Sequence, residues 1–276
     1  MPLDTPTAVL ATLTLPERSR LLEGYQQAVA MADVNWLKKT AARPGLTTDD
    51  RRFLANQAMP DGNRFLFSIH AVETGNDELL GFLLREGANP DDAMLHAVTS
   101  SNSSAVGRLC QAKANANGLI DTIPYLNFSA YTGDHVSCRH LLDAGANLNG
   151  HPVGQKGHTA LYDCMVGYEM LVSTSHNSGR PLEVQRLMPA LQTMALLLQR
   201  GINAHQKEPG GHSAYDFACA MVQLAGPEID PNRPDPWRRP LDMIQSWQPA
   251  PAAAAEMENL MTRLRLGKPA GAGGPA

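Results

Sequence analysis

The sequence predicts an all-α protein in which a short unit of two antiparallel helices is repeated and stacked. Similar heptapeptides recur, turn residues precede them in a constant order, and the composition favours helices packed through small apolar side chains. The heptapeptides are LLREGAN at Leu83–Asn89, LLDAGAN at Leu141–Asn147 and LLQRGIN at Leu197–Asn203, with a degraded copy, LCQAKAN, at Leu109–Asn115.

Each heptapeptide is typical of the end of a helix. Its first leucines supply a buried face, its charged or polar residues face water, and its glycine takes the left-handed conformation that closes the last turn. Lys113 stands where the other copies have glycine. Because a non-glycine residue in that conformation costs on the order of 1 kcal/mol, we expect the second unit to be the least stable.

The residues around the heptapeptides resemble those of the ankyrin repeat family. The matching pieces are the helix openings GHTAL and GHSAY at Gly157–Leu161 and Gly211–Tyr215, the inter-helix TGN and TGD at Thr74–Asn76 and Thr132–Asp134, and the closing LLxxGAN. The resemblance covers roughly residues 63–224. It implies a helical solenoid of about four to five irregular repeats with helical caps, whose turn tips and first helices form a concave binding groove.

The spacing of the heptapeptides departs from the family period of ~33 residues. The step is 26 residues from Leu83 to Leu109, 32 from Leu109 to Leu141 and 56 from Leu141 to Leu197. The last step equals one repeat plus an insertion of ~23 residues. We place the insertion near residues 166–190, where it lengthens the two helices of the fourth unit around an exposed SHNSGRP loop.

The chain divides into a repeat array and flanking segments. Pro16 suits the first turn of an N-terminal helix, and Arg43–Gly45 ends that helical run. The predicted divisions are a flexible N-terminus at 1–15, an N-terminal helical cap at 16–62, the ankyrin-like array at 63–226, a Pro-rich segment with C-terminal capping helices at 227–266, and a disordered tail at 267–276.

Composition argues against several classes of protein. The net charge of −4 gives no basic field for nucleic acid or an anionic membrane. No apolar run approaches the ~20 residues of a membrane span, and the first residues lack the basic region of a secretory signal. The four cysteines lie in different predicted units without metal-ligand or disulfide spacing. We expect a cytoplasmic protein, with export without a cleaved signal as an open alternative.

The sequence carries no signature of catalysis or of cofactor binding. It has no HExxH, GxSxG, GxGxxG or CxxC motif and no phosphate-binding glycine loop. His158 and His212 recur at equivalent places in GHTA and GHSA, and the five-residue spacing of His135 and His140 does not put them on one helix face. We therefore predict no enzymatic activity, no metal and no cofactor.

Protein binding is the function that the resemblance implies, at turn tips where packing leaves side-chain identity free. The predicted tips lie at 90–92, 117–122, 148–156 and 204–208. Tyr125 and Tyr131 are expected to be exposed beside them, since tyrosine offers contact area with a polar group. The candidate partner-binding residues are Asp91, Asp92, Asn117, Tyr125, Tyr131, Asn149, His151, Val153, Gln155, His205 and Lys207.

The predicted function is therefore a non-catalytic interaction module that grips one folded protein partner as a scaffold or an inhibitor. The sequence does not separate an exported bacterial effector that acts on a host protein from an immunity-type protein that neutralises a toxin. Two other hypotheses stay open: an enzyme site near the 166–190 insertion, and a homo-oligomer that uses an apolar face at Met257–Leu264. We expect the chain alone to be monomeric.

Overall fold

The chain is a stack of antiparallel helix pairs in the computed structural model, which confirms the predicted all-α solenoid. The structure describes residues 10, 12–60, 65–149, 157–177, 184–207, 210–225, 236 and 238–247. Within those ranges the chain forms thirteen helices and one short β-hairpin.

The helices pair in sequence order and pack in two layers. The elements are α1 (Leu15–Ala30), α2 (Val34–Ala41), α3 (Thr48–Ala55), α4 (Phe67–Glu73), α5 (Asp77–Arg85), α6 (Asp91–Thr99), α7 (Ser103–Gln111), β1 (Leu119–Ile120), β2 (Ile123–Pro124), α8 (Tyr125–Tyr131), α9 (His135–Asp143), α10 (Ala160–Asn177), α11 (Val184–Gln199), α12 (Ala214–Ala225) and α13 (Arg239–Ser246). Units 1 to 4 are the pairs α4–α5, α6–α7, α8–α9 and α10–α11. The inner helices α4, α6, α8, α10 and α12 pack side by side in one layer, and the outer helices α5, α7, α9 and α11 pack in the other.

The turn within a helix pair has the same design in four consecutive pairs. One residue takes a positive φ, and these residues are Ala32, Gly75, Ser101 and Gly133. The next residue caps the second helix by accepting a hydrogen bond from the backbone N–H three positions later, and the caps are Asp33, Asn76, Asn102 and Asp134. Because Asp33 joins α1 to α2, the N-terminal pair has the turn of a repeat.

The heptapeptides close the outer helices as predicted. Gly87, Gly145 and Gly201 have φ values of 94°, 92° and 85°, and Lys113 takes φ 69° at the equivalent place in unit 2. The first leucine of every heptapeptide is fully buried, from Leu83 to Leu197. The degraded copy therefore keeps the backbone of the motif without its glycine.

Unit 4 is much longer than the units before it. α10 has 18 residues and α11 has 16, whereas the helices of units 1 to 3 have 7 to 9. α10 also approaches α8 closely, because a Cβ atom added at Gly167 would lie 2.0 Å from the carbonyl oxygen of Tyr131. The inserted residues therefore extend a helical hairpin, and its connecting residues 178–183 lie outside the described part of the chain.

Helices also flank the array at both ends. The ring of Tyr25 on α1 stacks on Phe67 of α4 with centroids 5.8 Å apart. At the other end α13 packs against α11 and α12, and the Tyr168 hydroxyl donates to the Pro236 carbonyl oxygen at 2.7 Å. The apolar segment Met257–Leu264 and the predicted tail at 267–276 lie outside the described residues.

Candidate protein-binding surface

A series of side-chain hydrogen bonds joins the ends of consecutive outer helices. The asparagine that ends each heptapeptide donates its backbone N–H to the side-chain oxygen of a residue just beyond the preceding heptapeptide or, for Asn89, just beyond α3. Asn115 donates to Asp91 at 2.6 Å and Asn147 donates to Asn117 at 2.7 Å. The same bond joins Asn89 to Asn56 at 2.8 Å and Asn203 to Asn149 at 3.2 Å. We call this series the asparagine ladder.

The ladder is completed by a local turn in each unit. The side-chain oxygen of each heptapeptide asparagine accepts the backbone N–H two residues later. The donors are Asp91, Asn117, Asn149 and His205, at 3.3, 3.0, 3.3 and 3.0 Å. Asp91, Asn117 and Asn149, which the sequence suggested as partner contacts, thus link the end of one heptapeptide to the end of the next.

The sequence suggested that Asp91 and Asp92 lie in a turn tip, and this is wrong. Both residues form the first turn of α6. Pro90 alone separates α6 from the heptapeptide asparagine Asn89, so unit 2 has no projecting turn tip. Asp92 accepts a hydrogen bond from the Asn89 side chain at 2.9 Å. Burial raises the pKa of Asp92, and the bond from Asn89 partly offsets that rise.

Unit 3 does have a projecting tip. β1 and β2 pair antiparallel through Ile120 and Ile123, with Asp121 at φ 54° in the connecting turn. We call this hairpin the finger. Asp121, Thr122 and Ile123 are exposed on it, and the side chain of Ile123 is 44% exposed.

The expectation of an exposed Tyr125 is wrong. Tyr125 opens α8 and is buried, and its ring occupies space left by Gly118, where an added Cβ would lie 2.2 Å from a ring carbon. Burial raises the pKa of its hydroxyl, and the nearby Asp91 carboxylate raises it further. Tyr125 therefore packs the base of the finger.

Tyr131 lies at the end of α8 and is 39% exposed, as expected. Its hydroxyl donates to the sulfur of Met170 on α10 at 2.8 Å, and Met170 is 49% exposed. An aromatic ring of unit 3 and a flexible thioether of unit 4 thus share one surface.

The remaining candidates lie near the C-terminal end of the array. The ring of His205 packs on Tyr215 with centroids 4.6 Å apart, and Lys207 pairs with Asp216 at 2.5 Å. The hydrogen bonds from Lys207 and Ser213 hold the pKa of Asp216 well below its usual range. The three candidates His151, Val153 and Gln155 lie outside the described residues.

Exposed apolar side chains follow the inner helices from unit 1 to unit 4. They are carried by inner helices or by the residues that lead into them, and apart from Tyr131 the sequence does not predict them. These residues are Phe65, Leu95, Ile123, Tyr131 and Met170, and they define the inner-helix face. The outer helices α5, α7 and α9, which are described in full, expose no large apolar side chain. Met188 on α11 is the one exposed large apolar side chain of an outer helix in the described part of the array, so exposure of this kind is concentrated on the inner layer.

One cluster on the inner-helix face combines aromatic and charged groups. The ring of Phe65 meets the imidazole of His96 edge-on with centroids 5.5 Å apart. His96 also contacts Glu73, whose carboxylate oxygen lies 2.8 Å from Nδ1 of the His96 ring. Leu95 is the neighbour of His96 on α6 and is 39% exposed. The cluster joins units 1 and 2.

The described ranges contain no group of three or more histidine, cysteine or acidic side chains arranged to hold a metal ion. Within the same ranges, no helix is both long and apolar enough to span a membrane.

His158 contacts Asp163 at 3.2 Å and Tyr162 through its ring, and the Asn127 side chain donates to its carbonyl oxygen at 2.7 Å. Its contacts therefore link α8 to the start of α10.

Comparison with solved structures identifies the fold. An ankyrin repeat domain from Acinetobacter baumannii aligns with 79% of this chain and 95% of its own length, with a TM-score of 0.55 and 18% identity. An ankyrin repeat protein from Enterococcus aligns with 81% of this chain and 97% of its own length, with a TM-score of 0.51 and 15% identity. No protein-family model matches the sequence, and no curated protein is significantly similar to it.

Proposed function

Because the chain has the ankyrin repeat fold, we propose that it is a non-catalytic module that binds a folded protein partner through the inner-helix face, as a scaffold or an inhibitor. Ankyrin repeat domains are in general interaction scaffolds, and the first helices of their repeats line a concave surface. The proposal includes a chain that is monomeric alone and acts in the cytoplasm, or after export without a cleaved signal.

One observation carries the proposal: five of the six exposed large apolar side chains described within the array lie along the inner helices, Met188 on α11 is the sixth, and α5, α7 and α9 have none. Isolated exposed apolar residues are ordinary, but a set that follows one layer over four units marks an interaction surface. The contact between the side chains of Tyr131 and Met170 supports a surface that units 3 and 4 share. Aromatic and methionine side chains are also enriched at protein interfaces.

The bacterial origin of the two similar structures is consistent with a bacterial source for this chain. In that setting we propose two specific roles, a toxin-neutralising immunity-type protein and an exported effector that acts on a host protein. Deletion of residues 1–15 distinguishes them, because an effector needs its N-terminus for delivery and an intracellular inhibitor does not.

The test compares two methionines of similar exposure on opposite layers. Met170 on inner helix α10 is 49% exposed and Met188 on outer helix α11 is 42% exposed. Wild-type chain, Met170→Ser combined with Leu95→Ser, and Met188→Ser are each tagged and used to capture proteins from a lysate of the source organism. We expect one stoichiometric partner with the wild type and with Met188→Ser. For the inner-face variant, affinity falls by roughly tenfold or more, as for loss of an interface hot spot.

Circular dichroism and thermal unfolding serve as the control, because all three replaced side chains are exposed and the variants should fold alike. Equal capture by the inner-face variant and the wild type would refute binding through this face. Retention of the partner by the inner-face variant and its loss with Met188→Ser would move the site to the outer layer.

A further inference from the structure

We propose that the inner-helix face recognises a Lys/Arg-rich segment of its protein partner, bound along α4, α6 and the finger. This inference rests on the proposed function and specifies the chemistry of the partner. It is carried by the distribution of charge between the two layers, by the pairing of that charge, and by the aromatic cluster at units 1 and 2.

The two layers of helices differ in charge. The inner helices contain six carboxylates and no lysine or arginine, and these carboxylates are Glu73, Asp91, Asp92, Asp163, Glu169 and Asp216. The outer helices α5, α7, α9 and α11 contain four arginines and three carboxylates. Lys207 pairs with Asp216, and among the described residues no lysine or arginine pairs with Glu169 or with the carboxylates of α4 and α6. Because the inner helices lie side by side, the charges of these carboxylates add to a negative potential over one surface of the solenoid.

The carboxylates of the outer helices are neutralised by basic partners. Asp77 lies 3.5 Å from Arg108, Glu78 lies 2.8 Å from Lys38, and Asp143 lies 2.6 Å from Arg200. Each of the three carboxylates of the outer helices thus has a basic partner, so the outer layer presents no unpaired carboxylate from these helices.

The carboxylates of α4 and α6 are paired differently. Among the described residues, no lysine or arginine lies within ion-pair distance of Glu73, Asp91 or Asp92. Their contacts are instead the His96 ring, the Asn115 backbone N–H and the Asn89 side chain. Asp121 at the turn of the finger is exposed, and no lysine or arginine of the described residues forms an ion pair with it. A basic segment therefore finds four carboxylates that no lysine or arginine of the described residues neutralises.

The cluster of Phe65, His96 and Glu73 adds a specific feature. Phe65 offers an exposed aromatic ring and Glu73 offers a half-exposed carboxylate, and both contact the same imidazole. An arginine or lysine gains from both kinds of group, through cation–π attraction to the ring and an ion pair with the carboxylate. Leu95, next to His96 on α6, and Ile123 on the finger are exposed and can contact apolar side chains of the same segment. The partner segment is thus basic with apolar residues interspersed.

The test uses three synthetic peptides of equal length and equal leucine and phenylalanine content. Their polar positions carry only Lys/Arg, only Ser/Gln or only Asp/Glu. Binding to the full chain is measured by fluorescence anisotropy at ~0.05 M and ~0.5 M salt, where the Debye length falls several-fold. The variants are Glu73→Gln with Asp121→Asn on the inner layer, and Glu78→Gln with Asp143→Asn as a control with the same change in charge.

We expect the Lys/Arg peptide to bind most tightly and to weaken at the higher salt. The inner-layer variant should weaken it about fivefold, the size expected for two partly exposed ion pairs, and the outer-layer control should leave it unchanged. Equal weakening by both variants would show non-specific attraction and overturn the proposal. So would absence of binding by the Lys/Arg peptide, or tighter binding of either other peptide. If the peptides fail while capture still distinguishes Met170 from Met188, the face binds a partner of different chemistry and the proposed function stands.

Discussion

Units 2 and 3 have helices of similar length but differ in the residues that close their turns. Ser101 and Lys113 hold the left-handed positions in unit 2, where unit 3 has Gly133 and Gly145. Unit 3 has the projecting finger before its first helix, whereas the first helix of unit 2 begins directly after Pro90. Both units nevertheless keep the Asn or Asp helix cap and their place in the asparagine ladder.

The difference between the two units indicates which part of the repeat fixes its geometry. The conformation of the turn is imposed by the hydrogen bonds of the cap and the ladder, because it survives where glycine is absent. Glycine reduces the conformational cost of the turn without determining its shape. The two units can therefore be exchanged feature by feature, and the size of each effect shows which feature stabilises the array.

The largest effect is expected where unit 3 meets α10. Gly167→Ala places a Cβ atom 2.0 Å from the Tyr131 carbonyl oxygen, and neither backbone can move aside without displacing a whole helix. We expect the free energy of unfolding in urea to fall by about 2–4 kcal/mol. The control is Gly107→Ala in unit 2, whose Cβ would lie 2.8 Å from Nε2 of His140. That imidazole can rotate away, so the control should cost less than about 1 kcal/mol. Equal losses would show that the close approach of α8 and α10 is relieved by small shifts.

Exchange of the closing residues should give the next largest effect. Gly145 has φ 92° and nothing lies within 4 Å of its missing Cβ, so Gly145→Lys introduces backbone strain without a steric clash. We expect the free energy of unfolding to decrease by about 1–2 kcal/mol. Lys113→Gly should increase it by up to about 1 kcal/mol, since glycine relieves strain but gains entropy in the unfolded chain. Chemical denaturation of both variants provides the measurement. Loss of stability in Lys113→Gly would mean that Lys113 is not strained in the left-handed conformation.

Removal of the helix caps should have a smaller effect that is unequal between the units. Asn102 accepts from the Ala105 backbone N–H, whereas Asp134 accepts from Ser137 and also from the Ser103 hydroxyl of unit 2 at 2.8 Å. We expect Asn102→Ala to cost about 1 kcal/mol and Asp134→Ala about 1–2 kcal/mol of unfolding free energy. A double-mutant cycle of Ser103→Ala with Asp134→Ala isolates the bond between the units. A coupling energy near zero would remove that bond from the explanation.

Thiol reactivity separates the two units without changing stability. Burial raises the pKa of Cys110 in unit 2 to about 11, while Cys138 in unit 3 is fully buried. A thiol-specific reagent should label native Cys110 slowly near neutral pH, with a rate that rises about tenfold per pH unit below that pKa. Cys138 should be labelled only on unfolding. Mass spectrometry identifies the labelled residue, and equal rates for the two thiols would mean that unit 3 opens as readily as unit 2.

The fold could be predicted from the sequence because its determinants are local and repeated. The leucine, glycine and asparagine of each heptapeptide specify the end of a helix whatever lies elsewhere in the chain. The short 26-residue step between Leu83 and Leu109 also signals the missing tip of unit 2. The prediction of a turn at Asp91 and Asp92 fails because it assumes a tip in every unit.

The candidate surface is harder to predict. Tyr125 is buried because Gly118, seven residues earlier, leaves space for its ring, and a composition-based argument cannot see such a contact. The asparagine ladder can be recognised in the sequence, because an Asn or Asp stands two residues after each of Asn89, Asn115 and Asn147. Exposure of Leu95 and Met170 depends on which neighbours cover each helix, which is information that only the assembled layers provide.

The asparagine ladder has a consequence for how such an array changes in evolution or in the laboratory. Its bonds connect heptapeptide ends through residues two positions downstream, so these bonds make no use of the chain between that position and the next inner helix. Unit 2 uses none of this length and unit 3 uses it for a hairpin, with no change in the bonds themselves. The segment between Asn117 and α8 is thus a site where a loop of new specificity can be inserted while the register of the solenoid is kept.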